Sequence, residues 1–221
     1  MVTLCRIEKR RKNTVHTNKY RTFVPKYGMD KLIEIFQANS GFLKSKEITG
    51  GSQWRALNKM LNNNSVTKIK RGLYRLNHFE HDNPFVEVSN TIPCGVFCMF
   101  SAWFYYGLTT TVPHENHVAI MQNKKVRLPD YPPIKLYYLS DRFYQLGIMQ
   151  IEIGNQPIKI YDLEKSVCDA VRFRNRIGLD IAFEVVKNYV RRKDRNFDKL
   201  AKYARPLRIE KIMQNIIMPM L

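Results

Sequence analysis

The sequence predicts an α+β protein: a small unit of helices and a hairpin comes first, and a larger α+β domain follows. Three observations predict it. Residues 29–76 read as a helix, a short helix, a Gly-Gly turn, a second helix and a basic hairpin, the order of parts in a winged helix-turn-helix. Residues 117–161 carry short apolar runs punctuated by proline and glycine, the pattern of strands. After Asp162 the apolar spacing changes to the helical period. The expected organisation is a basic arm over 1–26, the winged helix-turn-helix over 27–79, a connector over 80–90 and an α+β domain over 91–221.

In the first unit, Asp30 is expected to cap a helix in which Leu32, Ile33, Ile35 and Phe36 share a face. Asn39-Ser-Gly41 ends it. Phe42 and Leu43 lead into a one-turn helix over 44–48 that buries Ile48. Gly50-Gly51 permits a tight reversal, and Ser52 is placed to cap the next helix. There Trp54, Leu57 and Leu61 form the expected core stripe. Ser52, Gln53, Arg55, Asn58, Lys59 and Asn62 form the opposite face, with side chains of the kind that reach base edges and phosphates. A merely solvated face mixes both signs of charge, yet no acid occurs from Ser52 to Arg75.

The hairpin 68–76 alternates Ile69, Leu73 and Leu76 with Lys68, Lys70, Arg71 and Arg75, and Arg71-Gly72 is its expected tip. Tyr74 is expected to lean on the sheet and offer its hydroxyl to a phosphate. The plain alternative is a small ribbon whose edge lysines only discourage aggregation. A net charge of +18 over 221 residues points the same way as the motif, toward a polyanionic partner. Double-stranded DNA is therefore the expected partner. The arm, with Arg6, Lys9, Arg10, Arg11, Lys12, Lys19, Arg21 and Lys26 against Glu8, is expected to follow the DNA backbone or to be a free tail.

Four irregularly spaced cysteines and no apolar signal segment at the start lead us to expect reduced thiols and a cytoplasmic protein. Residues 91–113 are uncharged, long enough to span a bilayer, but Pro93, Gly95 and Gly107 interrupt them. A buried helix over 96–106 is expected, and no membrane. Cys94, Cys98, His114 and His117 imitate a zinc pattern, but the segment between the pairs is the most apolar of the chain and should fold by itself, so no metal or other cofactor is expected.

Strands are expected over 118–121, 134–139, 148–153 and 157–161, with a hairpin turn at Gly154-Asn155-Gln156. Helices should follow, one presenting Val167, Ala170, Val171 and Arg174, one presenting Ile181, Ala182, Val185, Val186, Tyr189 and Val190, and two more near 197–204 and 207–218. No nuclease, triad or phosphate-loop spacing stands out, and Asp162, Glu164 and Asp169 read as acids at a helix N-terminus, so no enzymatic activity is expected. A second class of function stays open: Arg172, Arg176, Lys187, Arg191, Arg192, Lys193 and Arg195 would let the C-terminal helices hold RNA.

The ordered motifs of this chain resemble the AbiEi family of type IV toxin–antitoxin (abortive infection) loci. Ile69-Lys-Arg-Gly-Leu-Tyr74 is similar to the family's RGxY wing. Ser101-Ala-Trp-Phe-Tyr-Tyr-Gly-Leu-Thr109 is similar to its SALxxHGL helix, with Tyr106 where histidine is common. Ile160-Tyr-Asp-Leu-Glu-Lys-Ser-Val-Cys-Asp169, Arg172-Phe-Arg-Asn-Arg-Ile-Gly178 and Leu200-Ala-Lys-Tyr-Ala204 resemble its later signatures. The resemblance runs from Met29 to the C-terminus and leaves out the basic arm. It implies an autorepressor that binds inverted repeats in its own promoter, and an antitoxin that opposes a nucleotidyltransferase toxin with or without direct contact.

Overall fold

The computed structural model describes residues 26–77, 79, 83–129, 131–153 and 156–220. The expected basic arm lies outside them apart from Lys26, which opens the first helix. The fold is mixed α+β.

Helix α1 (Lys26–Ala38) buries Leu32 and Phe36, four residues apart and so on one face. It begins one turn before Asp30, so Asp30 is an exposed residue of the helix and not its cap. Gly28 is buried against Ser52, which seats that extra turn. Phe42 and Leu43 do more than lead into a turn: they belong to strand β1 (Phe42–Lys44). A turn of 3-10 helix (Ser45–Glu47) follows, then helix α2 (Gly51–Asn62), strand β2 (Val66–Lys70) and strand β3 (Leu73–Leu76). The strands pair antiparallel in the order β1-β3-β2. Leu32, Phe36, Leu43, Ile48, Ala56, Leu57, Met60, Val66 and Tyr74 form one core cluster between the helices and this sheet.

The second part opens on helix α3 (Pro84–Thr91), where a polar connector was expected. Asn83 caps it by accepting from the Phe85 N–H at 2.9 Å, and Phe85, Val86 and Val88 are buried. The acids of this stretch masked a short amphipathic pattern. The apolar run after it does not make a single helix. It divides at Cys98 into strand β4 (Val96–Phe97) and helix α4 (Met99–Tyr105). A run apolar on every side carries no period, so strand and helix cannot be told apart from its spacing.

Strands β5 (Asn116–Met121) and β6 (Ile134–Leu139), the short helix α5 (Asp141–Tyr144), and strands β7 (Ile148–Ile153) and β8 (Gln156–Tyr161) come next. Apolar runs bounded by proline and glycine predicted β6 and β7 to the residue. The two-stranded pairing of β7 with β8 is antiparallel and brings Ile153 opposite Gln156; Gly154 and Asn155 lie outside the described residues. The five-stranded sheet has the order β6-β5-β4-β8-β7, with β5–β6 and β4–β8 parallel. Helices α6 (Leu163–Ile177), α7 (Leu179–Val190), α8 (Phe197–Ala204) and α9 (Glu210–Ile217) complete the chain.

The sheet is apolar on both faces. One face, with Val96, Ala119 and Tyr161, packs on α4 and α6–α9 around Trp103, Val167, Val171 and Tyr189. The other, with Phe97, Val118, Ile120, Ile158 and Ile160, packs on α3 through Phe85 and Val86. Phe42 and Leu73 of the first sheet join this second cluster, so the N-terminal unit rests on α3. No helix among the described residues is long and apolar enough to cross a membrane.

Candidate nucleic-acid interface

Helix α2 starts two residues earlier than expected. Gly50, not Ser52, is its N-cap, and Ser52 is a half-buried residue of the first turn. The buried line is Gln53, Ala56, Leu57 and Met60, while Trp54 is 39% exposed. Gln53 is therefore not part of an outward face. Its Oε1 accepts from the Thr49 N–H at 2.8 Å and the Thr49 hydroxyl at 3.3 Å, and this is why an amide can be buried there. Such a side chain reaches back over the helix start as in a capping box, a role that its polarity disguises in the sequence.

The face that remains outward carries Arg55, Asn58, Lys59 and Asn62, all exposed. Arg55 makes one weak local bond, from Nε to the Gly51 carbonyl at 3.3 Å. None of the four is in an ion pair among the described residues.

The hairpin divides its cations. The pairing of β2 with β3 is irregular between Lys68 and Lys70, which breaks the two-residue alternation. Lys68 points outward with Arg71 at the tip, where Gly72 takes φ +78°. Lys70 turns inward and donates its ammonium to the Thr91 carbonyl at the end of α3. Burial holds its pKa below the ordinary lysine value. Arg75 pairs with Glu87 of α3 at 2.6 Å, and burial raises the Glu87 carboxyl against the pull of that arginine. Lys70 and Arg75 are thus fasteners between hairpin and α3, and Lys70 is corrected as an outward contact. Tyr74 is corrected too: it is 7% exposed, in the core cluster with Leu32 and Leu57.

The acids at the start of α6 are occupied structurally. Asp162 caps the helix, accepting from the Lys165 N–H at 2.9 Å, and also accepts from the Tyr203 hydroxyl at 2.8 Å. Lys199 bridges Asp162 and Glu164 at 3.1 Å each. Sequence reasoning missed the most unusual pair beside them. Lys165, fully buried, gives its ammonium to both Asp169 oxygens at 2.7 Å and sits 4.1 Å above the Tyr161 ring. The i,i+4 spacing was the available signal. Gly147, at φ +73°, passes so close that a Cβ there would lie 2.7 Å from the Lys165 Cβ.

Of the C-terminal cations, Lys187, Arg191, Lys193 and Arg195 are exposed. Arg192 is not free: it donates to the Tyr106 carbonyl at 2.7 Å and pairs with Asp194 at 2.8 Å. Arg172 lies 4.2 Å from the Phe143 ring centre.

Among the described residues no three His, Cys, Asp or Glu side chains gather as a metal site requires. Burial raises the Cys98 thiol well above its usual pKa. His117 is 5% exposed and shares a hydrogen bond of 2.9 Å between its Nδ1 and the Tyr137 hydroxyl. Burial pushes its pKa down from 6.5 to about 4, with Glu115 opposing and Lys135 adding to the fall. The unfolded chain therefore takes up this proton first as pH drops. The contribution is fully present above pH 6.5 and is lost toward pH 4, by about 3 kcal/mol in total. Urea melts of the protein and of His117→Gln across that range should diverge by this amount. Parallel curves would show that His117 titrates normally in the fold.

No family model matches the sequence, and no curated protein matches it. Among solved structures, the crystal structure of the RV2827C protein from Mycobacterium tuberculosis is similar, with a TM-score of 0.55 over 81% of this chain and 71% of that one. At 8% sequence identity this likeness concerns the fold alone.

Proposed function

We propose that the N-terminal unit is a winged helix-turn-helix that binds double-stranded DNA, with α2 as the reading helix and the β2–β3 hairpin as the wing. The observation that carries this reading is the sidedness of the unit. Arg55, Asn58, Lys59 and Asn62 face outward from one helix, and Lys68 and Arg71 face outward from the neighbouring hairpin. No acidic residue lies between Glu47 and Glu80 to oppose a phosphate backbone. Long amide and guanidinium side chains on a helix suit base edges in a major groove, and a basic hairpin suits the flanking phosphates.

The motif resemblance extends the proposal. The chain represses its own promoter at inverted repeats and acts as antitoxin of a type IV pair, opposing a nucleotidyltransferase toxin. The second part of the chain, which holds the later motifs, carries the antitoxin role. The setting is a cytoplasm.

The test is binding to the upstream DNA of its own gene, to random duplex and to tRNA, over a range of salt. The promoter duplex should bind tightest; tRNA binding as tight as promoter would favour the RNA function instead. Lys68→Ala and Arg71→Ala should each flatten the slope of log K against log salt by about 0.9, the signature of one lost phosphate contact. Lys70→Ala should leave the slope unchanged, because its ammonium is committed to α3. Unchanged slopes for Lys68 and Arg71 alike would place the hairpin away from the duplex.

A further inference from the structure

A cleft of about 590 Å³ lies far along the chain from the proposed DNA face, between strand β6, the start of α4 and the last turns of α6. That volume falls in the range of small-ligand sites. Its walls join an aromatic row to cations. Phe100 lies 5.1 Å from the His117 ring, His117 stacks on Tyr137 at 5.5 Å, and Tyr137 meets Phe173 edge-on at 6.3 Å. Arg176 stands 5.7 Å from the Phe173 ring centre, and Lys135 also lines the cleft.

Three features make this more than a dent in the surface. Arg176 has no carboxylate partner among the described residues. Lys135 is held only by a half-exposed pair with Glu115 at 3.1 Å, with side chains 53% and 39% exposed, which an incoming anion can replace cheaply. His117 uses Nδ1 for Tyr137, while its Nε2 has no protein partner and is not sealed from solvent among the described residues. In addition β6 is an edge strand among the described residues, so its outer side offers backbone donors and acceptors with no strand neighbour there. A position at the C-terminal end of α6 alone would account for a basic residue there. It does not account for four rings arranged beside it.

We propose that this cleft binds a nucleotide unit: a flat heteroaromatic base stacked on the Phe173–Tyr137 side, with its phosphate held by Arg176 and Lys135. Stacking on aromatic side chains recognises any base by its face, and a guanidinium suits phosphate by its fork of donors. The backbone edge of β6 and His117 Nε2 supply the polar contacts that would choose among bases. The ligand is a free nucleotide or one nucleotide of a single strand, since both present the same base and phosphate.

Calorimetric titration of the full chain decides between these outcomes. The probes are the four nucleoside 5′-monophosphates, adenosine, inorganic phosphate and a short single-stranded trinucleotide. At least one monophosphate should bind saturably, and adenosine and phosphate should each bind more weakly. Arg176→Ala should weaken that binding by about 10-fold or more, as expected for a lost charge-assisted bond. Phe173→Leu should weaken it too. Arg176→Ala, at an exposed position, should keep the wild-type melting temperature. Phe173→Leu should stay folded with a modest loss of stability, because its ring packs on the core. Both variants should keep the wild-type affinity for duplex DNA. A trinucleotide that binds better than any monophosphate identifies a strand as the source, and the reverse identifies a free nucleotide. No saturable binding by any of these, or binding that neither variant changes, or phosphate competing as well as nucleotide, overturns the proposal.

Discussion

Replacing Asp169 by Asn lowers the melting temperature by roughly 6–20 °C, the equivalent of about 3–5 kcal/mol in a chain of this size. The reason is the completeness of the Lys165 burial. Its ammonium has 0% side-chain exposure, and Asp169 supplies two of its bonds at 2.7 Å. The Tyr161 ring beneath it offers a further, weaker attraction. Without the carboxylate, a positive charge is left in a site that water does not reach, and Gly147 presses on the lysine stem from the other side. Removing both charges is different. Lys165→Met with Asp169→Leu deletes the desolvation cost together with the attraction, so the double variant should recover most of the loss. Thermal melts of the three proteins test this. A single variant that melts with the wild type would mean that solvent reaches the pair in solution.

The second large effect is on DNA. In the full chain, Arg55→Ala and Asn58→Ala should each cost about 1–3 kcal/mol of discrimination between promoter and random duplex, roughly 5- to 150-fold per residue. Both side chains are exposed, and Arg55 makes only a weak local bond to the Gly51 carbonyl, so neither change should disturb the fold. Gln53→Ala is the internal control. Its amide is 4% exposed and bound to Thr49, so it should lower stability by about 1 kcal/mol and leave discrimination alone. Gel shifts on both duplexes separate these outcomes: equal loss on both would make Arg55 and Asn58 phosphate contacts, and no loss on either would remove α2 from the interface. In cells the doubly substituted full chain should lose repression of a promoter reporter yet still protect against a cognate toxin. Cells that die under toxin expression with that variant, and survive with the wild type, would show that protection runs through DNA binding.

Much of this architecture is written in local pattern. Strands β6 and β7 are short β-prone runs between clear proline and glycine breakers, and their bounds follow from those breakers. Helix α6 follows from its Asp162 cap, its apolar spacing and Gly178 at its end. The outward Arg55, Asn58 and Lys59 follow from helical geometry combined with an acid-free stretch. Local pattern was weakest where polarity and burial part company. Gln53 is polar and buried, Trp54 is apolar and exposed, and α3 carries an acid on its buried side.

By itself, then, the sequence determined the α+β class, most of the elements after Asn116, and the basic, acid-free character of the first unit, because these depend on residue type and period alone. Only the tertiary structure decided which cations are free. Lys68 and Arg71 stay in solvent while Lys70 and Arg75, of the same hairpin, fasten to α3: a pairing irregularity in β2 separates Lys70 from Lys68, and α3 brings Thr91 and Glu87 within reach of Lys70 and Arg75. It also brought together Phe100, His117, Tyr137 and Phe173, from α4, two parallel strands and α6. Their spacing along the chain holds no period, so no reading of neighbours could have gathered them; packing on one sheet face did.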